Sequence, residues 1–259
     1  MLRKINITRY VTPLREGGSL PAIVEGDDLG TYVLKFRGAG QGKKALVAEV
    51  IAGELARKLR LPVPELVLAN LDPVLARGEP DPEIQDLIRA SEGSNLAMDY
   101  LPGSLGFDPL ASPMNPELAS RILWFDALVT NVDRTPHNTN LLLWHGKVWL
   151  IDHGASLYFH HAWKGWESKT KLPFAAARDH VLLPLATEIK EADEQMAAKL
   201  SEETLREVLG LAPDEWLEGE SGFEDASEVR EAYFQYLSKR LEGPRKWVHA
   251  LEEAHEQAL

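Results

Sequence analysis

The chain has 259 residues, 44% apolar and 26% charged, with a net charge of −12 and no cysteine. This length suits one large domain or two lobes with a sizeable core. The acidic balance argues against a general nucleic-acid binder, which would present a basic face, while leaving room for a local basic pocket; the missing cysteines exclude a disulfide framework, a thiolate zinc site and a cysteine nucleophile.

The N-terminal stretch MLRKINITRYVTPLREGG has no apolar signal-peptide core, and no apolar run reaches membrane length. A cytoplasmic protein without a membrane partner is expected. The first hundred residues read as strands around one helix. TYVLKF (31–36) is β-branched and apolar, with Lys35 near its end. The glycine-rich RGAGQGKK follows, and then ALVAEVIAGELARKL (45–59) sets Val47, Ile51, Leu55 and Leu59 on one helical stripe. LPVPELVLA (61–69) is extended, because each proline biases its predecessor away from helix. The charged, proline-containing stretch 72–92 reads as an insertion or surface helix. NLAMDYLPGS (95–104) reads as a buried strand running into a turn at Pro102 and Gly103.

The remainder is mainly helical. In NPELASRILWFDALVTN (115–131), Pro116 suits a first helical turn, and Leu118, Ile122, Phe125 and Val129 form an apolar stripe. A hairpin follows, with strands near 140–145 and 148–152 joined at His145 and Gly146. DASEVREAYFQYLSKRL (225–241) starts with an Asp-x-x-Glu capping box, and Gly243-Pro244 closes that helix and opens the last one.

Around the hairpin stand acceptor groups: Asp133 and, five residues on, Asn138 before it, and Asp152 after it in Asp-His-Gly. Singly, each has an ordinary role. A strand lysine is a solvated edge residue, Glu49 an exposed helix carboxylate, and both aspartate motifs are turns. Their order points to phosphoryl transfer from ATP. That chemistry needs a strand lysine on the α/β-phosphates and a helix glutamate to pair with it. It also needs a catalytic aspartate, an asparagine five residues later on a metal ion, and a second aspartate holding Mg2+ against the phosphates. Lys35, Glu49, Asp133, Asn138 and Asp152 match those parts.

YVLKF, AEVIAGELARKLRLPVPE, NVDRTPHNTNLLL and LIDHGASLYFHH resemble the HipA-like kinases, a bacterial branch near the phosphatidylinositol 3/4-kinases. DRTPHN is similar to the DRxxxN catalytic loop of the lipid-kinase group, and IDHG to its Asp-x-Gly metal motif. The resemblance spans roughly residues 30–160 and is most specific at 131–154. It implies a two-lobed protein-kinase-like α+β fold, with a small sheet-plus-helix N-lobe over 1–101 and a mainly helical C-lobe over 102–259. ATP and Mg2+ bind between them. It places the adenine at a hinge, against Met98, Asp99 and Tyr100, and it favours a Ser/Thr hydroxyl on a protein as acceptor. Small-molecule alcohols and lipid head groups stay open, though the acidic surface weakens a membrane role.

The sequence departs from kinase patterns in two places. No Gly-x-Gly-x-x-Gly precedes the lysine strand, which leaves Gly17 and Gly18 in EGGSLPAIV as the candidate cover for the phosphates. No His-Arg precedes Asp133. GAGQG (38–42) could present backbone amides to an anion or be a plain strand–helix loop. Two rival readings remain: a non-catalytic nucleotide-binding relative, and a metal-dependent phosphohydrolase built on His137, His145, His153, His160 and His161. Trp144 and Trp149 read as hairpin packing. WKGWESKTK (163–171) lies where a kinase activation or substrate loop would, and a surface loop accounts for it equally.

Overall fold

Alternating apolar residues in the first hundred positions pair as strands. The computed structural model describes residues 1–15, 20–40 and 42–258. Gly17 and Gly18 lie outside them. β1 (Arg3–Pro13), β2 (Ala22–Gly26) and β3 (Thr31–Lys35) lead into α1 (Gly42–Lys58). β4 (Leu66–Leu71), α2 (Pro82–Ala90) and β5 (Gly93–Asp99) follow. The strands close into a barrel in the order β1-β2-β3-β5-β4, with β1 and β4 parallel and the other neighbours antiparallel. Because side chains alternate across a strand, Tyr32 and Leu34 of β3 point into the barrel. There they meet Ile5, Val24, Val67 and Ala97. The same alternation turns Lys35 to the outer face, where it pairs in register with Leu96.

The charged stretch after β4 forms a short 3-10 turn, Pro73–Gly78, and then α2, a surface helix. The Asp81 side chain caps α2 by accepting from the Glu83 N–H, and the helix buries only Ile84 and Ile88. That stripe joins the barrel interior.

β6 (Leu105–Gly106) and α3 (Pro116–Val129) come next, then the hairpin of β7 (Leu141–Trp144) and β8 (Lys147–Leu150). Asn115 caps α3 through the Glu117 N–H, and Pro116 occupies its first turn. His145 and Gly146 both have positive φ, 48° and 72°. Two consecutive left-handed residues are what a tight two-residue hairpin with matching twist demands. Trp144 and Trp149 pack edge-on at 5.7 Å across it. Residues 158–185 wind through single 3-10 turns. The chain ends in α4 (Ile189–Ala197), α5 (Glu202–Leu209), α6 (Asp214–Leu217), α7 (Ala226–Leu241) and α8 (Lys246–Ala258). Asp225 caps α7 on the N–H groups of Ser227 and Glu228, while Glu228 reaches back to the Glu224 N–H at 2.7 Å.

The larger hydrophobic cluster joins α1, α3, the hairpin and the C-terminal helices to Leu66, Leu96 and Met98 on the outside of the barrel. It therefore crosses residue 101 without a break. α1 is buried on all sides from Leu46 to Gly53, which is more than the single stripe expected from its periodicity. Among the described residues, no helix is long and apolar enough to cross a membrane. The whole is a mixed α+β architecture.

Candidate active site

β3 ends on Lys35 and α1 carries Glu49 two turns from its start, so the strand's outer face and the helix's inner face bring them together. The Lys35 ammonium donates to Glu49 Oε1 and to Asp152 Oδ1 at 2.7 Å. Glu49 is only 2% exposed. Its two oxygens also accept from the His153 backbone N–H at 2.8 and 2.6 Å, which ties the Asp-His-Gly turn to α1. Burial pulls Lys35 toward the neutral form, but Glu49 and Asp152 more than offset it and hold the ammonium above the usual lysine range. On Glu49 burial acts upward against Lys35. A lysine between two carboxylates, with a backbone amide on the same glutamate, is the geometry of an ion pair. The Lys35 charge, working against burial, keeps Asp152 below the usual carboxylate range.

The catalytic-loop candidate leaves α3 at Thr130, whose φ of 52° turns the chain sharply. Asp133 is half-buried. Its Oδ2 accepts from Asn138 Nδ2 at 2.9 Å and from Asn140 Nδ2 at 3.3 Å, and its carbonyl accepts from Asn140 at 2.9 Å. Its own N–H donates to Asn131 Oδ1 at 3.2 Å. Among the described residues, Oδ1 takes no hydrogen bond, so one carboxylate oxygen is held and the other is open. Asn140 and Asp152 adopt left-handed backbone, φ 47° and 55°. Such conformations cost on the order of 1–3 kcal/mol each and persist where surrounding contacts enforce them.

Lys35, Phe36, Ala39, Gly42, Ala45, Leu46, Asp152 and Gly154 line a cavity of about 40 Å³. The loop after β3 thus faces the lysine and the second aspartate. Gly38 has its own reason to be glycine: a Cβ there would lie 2.8 Å from Ser91 Oγ and 2.9 Å from the Ala90 carbonyl at the end of α2. Gly42, at φ 61°, begins α1 in a conformation glycine adopts freely. A larger cavity, about 740 Å³, lies elsewhere, against Lys44, Trp163, Trp166 and Phe223. Lys35, Asp133 and Asp152 do not line it.

At the expected hinge, Met98 sits on β5 between β3 and β4, paired with Val33 and Leu66. The Asp99 N–H donates to the Glu65 carbonyl at 2.9 Å and the Tyr100 N–H to that of Thr31 at 3.0 Å. Those two amides are therefore already used within the chain. The histidines do not gather. His137, His145 and His161 are exposed, whereas His153 and His160 are buried. His160 and His161 lie in a 3-10 turn, with rings 4.5 Å apart. Among the described residues, no three His, Asp or Glu side chains form a metal-holding group. In 163–171, Trp163 donates to Glu220 at 2.8 Å and Thr170 is buried, so that segment is anchored.

The HipA-like kinase family matches residues 7–248. The chain belongs to that family. A HipA-like kinase carries out kinase-type phosphotransfer, and the match favours that chemistry over the hydrolase alternative. The crystal structure of the Helicobacter pylori proinflammatory kinase CtkA has a similar fold. Its TM-score is 0.58 at 12% identity, covering 100% of this chain and 99% of that one. At such low identity the likeness speaks to the fold alone. No curated protein matches the chain.

In this HipA-like kinase, the residues that shape the Asp133 loop escaped the sequence reading. Asn131, Arg134 and Asn140 are buried, and Arg134 donates to Asp126 Oδ2 at 2.5 Å and to the Asn140 carbonyl at 2.5 Å. One signal was available. Asp126 is a lone charge in the apolar run ILWFDALV, and a charge in a helix buried all round needs partners.

Proposed function

We propose that this HipA-like kinase transfers the γ-phosphate of Mg-ATP to a hydroxyl acceptor, a protein serine or threonine first among them. In this reading residues 1–101 form an N-lobe and 102–259 a C-lobe, with the nucleotide between. The observation that carries it is Lys35 held between Glu49 and Asp152, from strand, helix and post-hairpin turn.

Lys35 neutralises the α/β-phosphates, and Glu49 keeps its ammonium in place. In this reading the nucleotide runs from the phosphate end along β5 to Met98. There the purine takes its hydrogen bonds at backbone carbonyls, since the Asp99 and Tyr100 amides are engaged. The donor set fits a hard divalent cation. Asp152 is ionised beside Lys35, and Asn138 spends its amide nitrogen on Asp133, which leaves its amide oxygen for a metal. Mg2+ on these two residues and the phosphates would neutralise charge developing on the transferred group. Asp133 Oδ1 orients the acceptor hydroxyl and takes its proton. The acceptor oxygen then bonds to the γ-phosphorus, the bond to the β,γ-bridging oxygen breaks, and ADP leaves.

Incubating the protein with γ-labelled ATP, Mg2+ and a cell lysate tests this reading. It expects a labelled acceptor whose phosphate is stable as a serine or threonine ester and whose labelling is lost with Lys35→Met. No transfer, or transfer indifferent to Lys35→Met, would contradict it.

A further inference from the structure

We propose that Asp126, Arg134 and His180 act as positioning residues for phosphotransfer, fixing the loop so that Asp133 keeps one oxygen toward the acceptor. This rests on Asp133 being the catalytic base. The three come from separate parts of the chain: α3, the loop itself, and the segment after the 3-10 turn Ala175–Asp179. They are 0%, 1% and 4% exposed.

Asp126 is a fully satisfied carboxylate. Its Oδ1 accepts from Asn131 Nδ2 at 3.0 Å and Arg134 Nη2 at 3.4 Å. Its Oδ2 accepts from Arg134 Nε at 2.5 Å and stands 2.9 Å from His180 Nε2. The His180 tautomer follows from its other nitrogen. Nδ1 accepts the Leu182 backbone N–H at 3.1 Å, so the proton sits on Nε2 and is donated to Asp126. Burial would raise the Asp126 carboxyl, but the Arg134 charge and the His180 hydrogen bond outweigh it and hold it well below the usual carboxylate range.

A buried ion pair is weak evidence for stability, because desolvation offsets its attraction. This one has a direction instead: its bonds end on Asp133. Asn131, held by Asp126, accepts the Asp133 N–H at 3.2 Å. Arg134 grips the Asn140 carbonyl at 2.5 Å, and the Asn140 amide clasps the Asp133 carbonyl and Oδ2. The Arg134 carbonyl in turn accepts the Val181 N–H at 3.0 Å, joining the His180 segment to the loop a second time. His180 is more than forty residues from Asp133 in the chain, yet only two hydrogen-bonding side chains stand between them.

The test measures ATP turnover with Mg-ATP and water as acceptor, beside nucleotide affinity and unfolding temperature, in four variants. Asp133→Asn sets the reference for loss of the base. His180→Leu removes the donor to Asp126, and His180→Gln restores an N–H near the position of Nε2. Arg134→Lys keeps the charge but cannot hold Asp126 and Asn140 together, and it serves if His180→Leu fails to fold. Misplacing a reacting group by an ångström costs about 10²-fold, so His180→Leu and Arg134→Lys should lower kcat by tenfold to about 10²-fold. The KM for ATP should stay near the parent value, and His180→Gln should recover most of the turnover. Unchanged kcat in a folded His180→Leu or Arg134→Lys would overturn the proposal. So would a parallel loss of kcat, affinity and unfolding temperature that His180→Gln does not rescue. Full turnover in Asp133→Asn would instead overturn the assignment of the base.

Discussion

Lys35 answers to two carboxylates, and this makes it the residue whose loss should be felt both in stability and in nucleotide handling. Lys35→Met leaves Glu49 buried without its cation, and removing one partner of a buried pair costs about 3–5 kcal/mol. Urea unfolding should register that loss, and affinity for Mg-ATP should fall with it. A variant with parent stability and affinity would mean that the pair is incidental. His153 gives a pH prediction of known sign. Burial lowers its pKa to about 3 from the ordinary 6.5. The unfolded chain therefore takes up a proton below pH ~6.5 that the folded chain refuses, and stability falls as the pH drops from there toward 3. Between pH 6.5 and 5 this one group accounts for roughly 1–2 kcal/mol. His153→Phe, in a position that already packs edge-on against Phe125 at 6.1 Å, should flatten that part of the acid limb. An unchanged slope between those pH values would refute the assignment. At this scale the sequence was informative wherever spacing carries chemistry: Asp133 and Asn138 are five apart and hydrogen-bonded. It was silent on His180, because nothing local marks a histidine whose partner lies 54 positions away.

α1 is the element that decides whether Glu49 is in place, and the C-terminal helices brace it. The Lys58 ammonium meets Glu207 of α5 at 2.6 Å, and Lys43 donates to the Glu215 carbonyl of α6 at 2.6 Å. Trp216 of α6 is buried and donates to the Ser94 carbonyl of β5 at 3.3 Å, so α6 is wedged between α1 and the barrel. Trp216→Ala should cost about 3–5 kcal/mol, the usual worth of a deleted core aromatic. It should also weaken ATP binding although Trp216 has no part in phosphate chemistry. A loss under 1 kcal/mol by urea unfolding, with full affinity, would mean that α1 stands without this wedge. The helical stripe of Val47, Ile51, Leu55 and Leu59 was readable, and all four are buried. What periodicity could not convey is that Ala48, Ala52 and Gly53 are buried too. Small apolar residues read as filler until the neighbouring helices are known. Strand elements with alternation, and helices with a proline in the first turn such as Pro116 or a capping residue such as Asp225, were legible for local reasons. The 3-10 turns of 158–185 were not, since aromatic contacts such as Phe159 on Tyr236, 3.7 Å apart, shape them from a distance.

For the whole molecule, phosphoryl transfer needs groups from three places at one point: β3 and α1, the loop after α3, and the turn after β8. The chain brings Lys35, Glu49 and Asp152 into direct contact and leaves one Asp133 oxygen open. The order of motifs in the sequence paired Lys35 with Glu49, and the two are in contact. The hinge was less legible, because strand closure decides which backbone amides remain free, and those of Asp99 and Tyr100 do not. The central claim is that the two aspartates flanking the hairpin do different work, Asp133 on the acceptor and Asp152 on the metal-bound phosphates. Titration calorimetry of a non-hydrolysable ATP analogue into Asp133→Asn and Asp152→Asn, with and without Mg2+, measures that division, with turnover followed alongside. Asp133→Asn should bind the Mg-nucleotide like the parent while turnover falls by about 10²–10⁴-fold, the range for a positioned base. Asp152→Asn should lose the Mg2+-dependent part of the affinity as well as turnover. Equal loss of Mg-nucleotide affinity in both, or undiminished turnover in either, would contradict it.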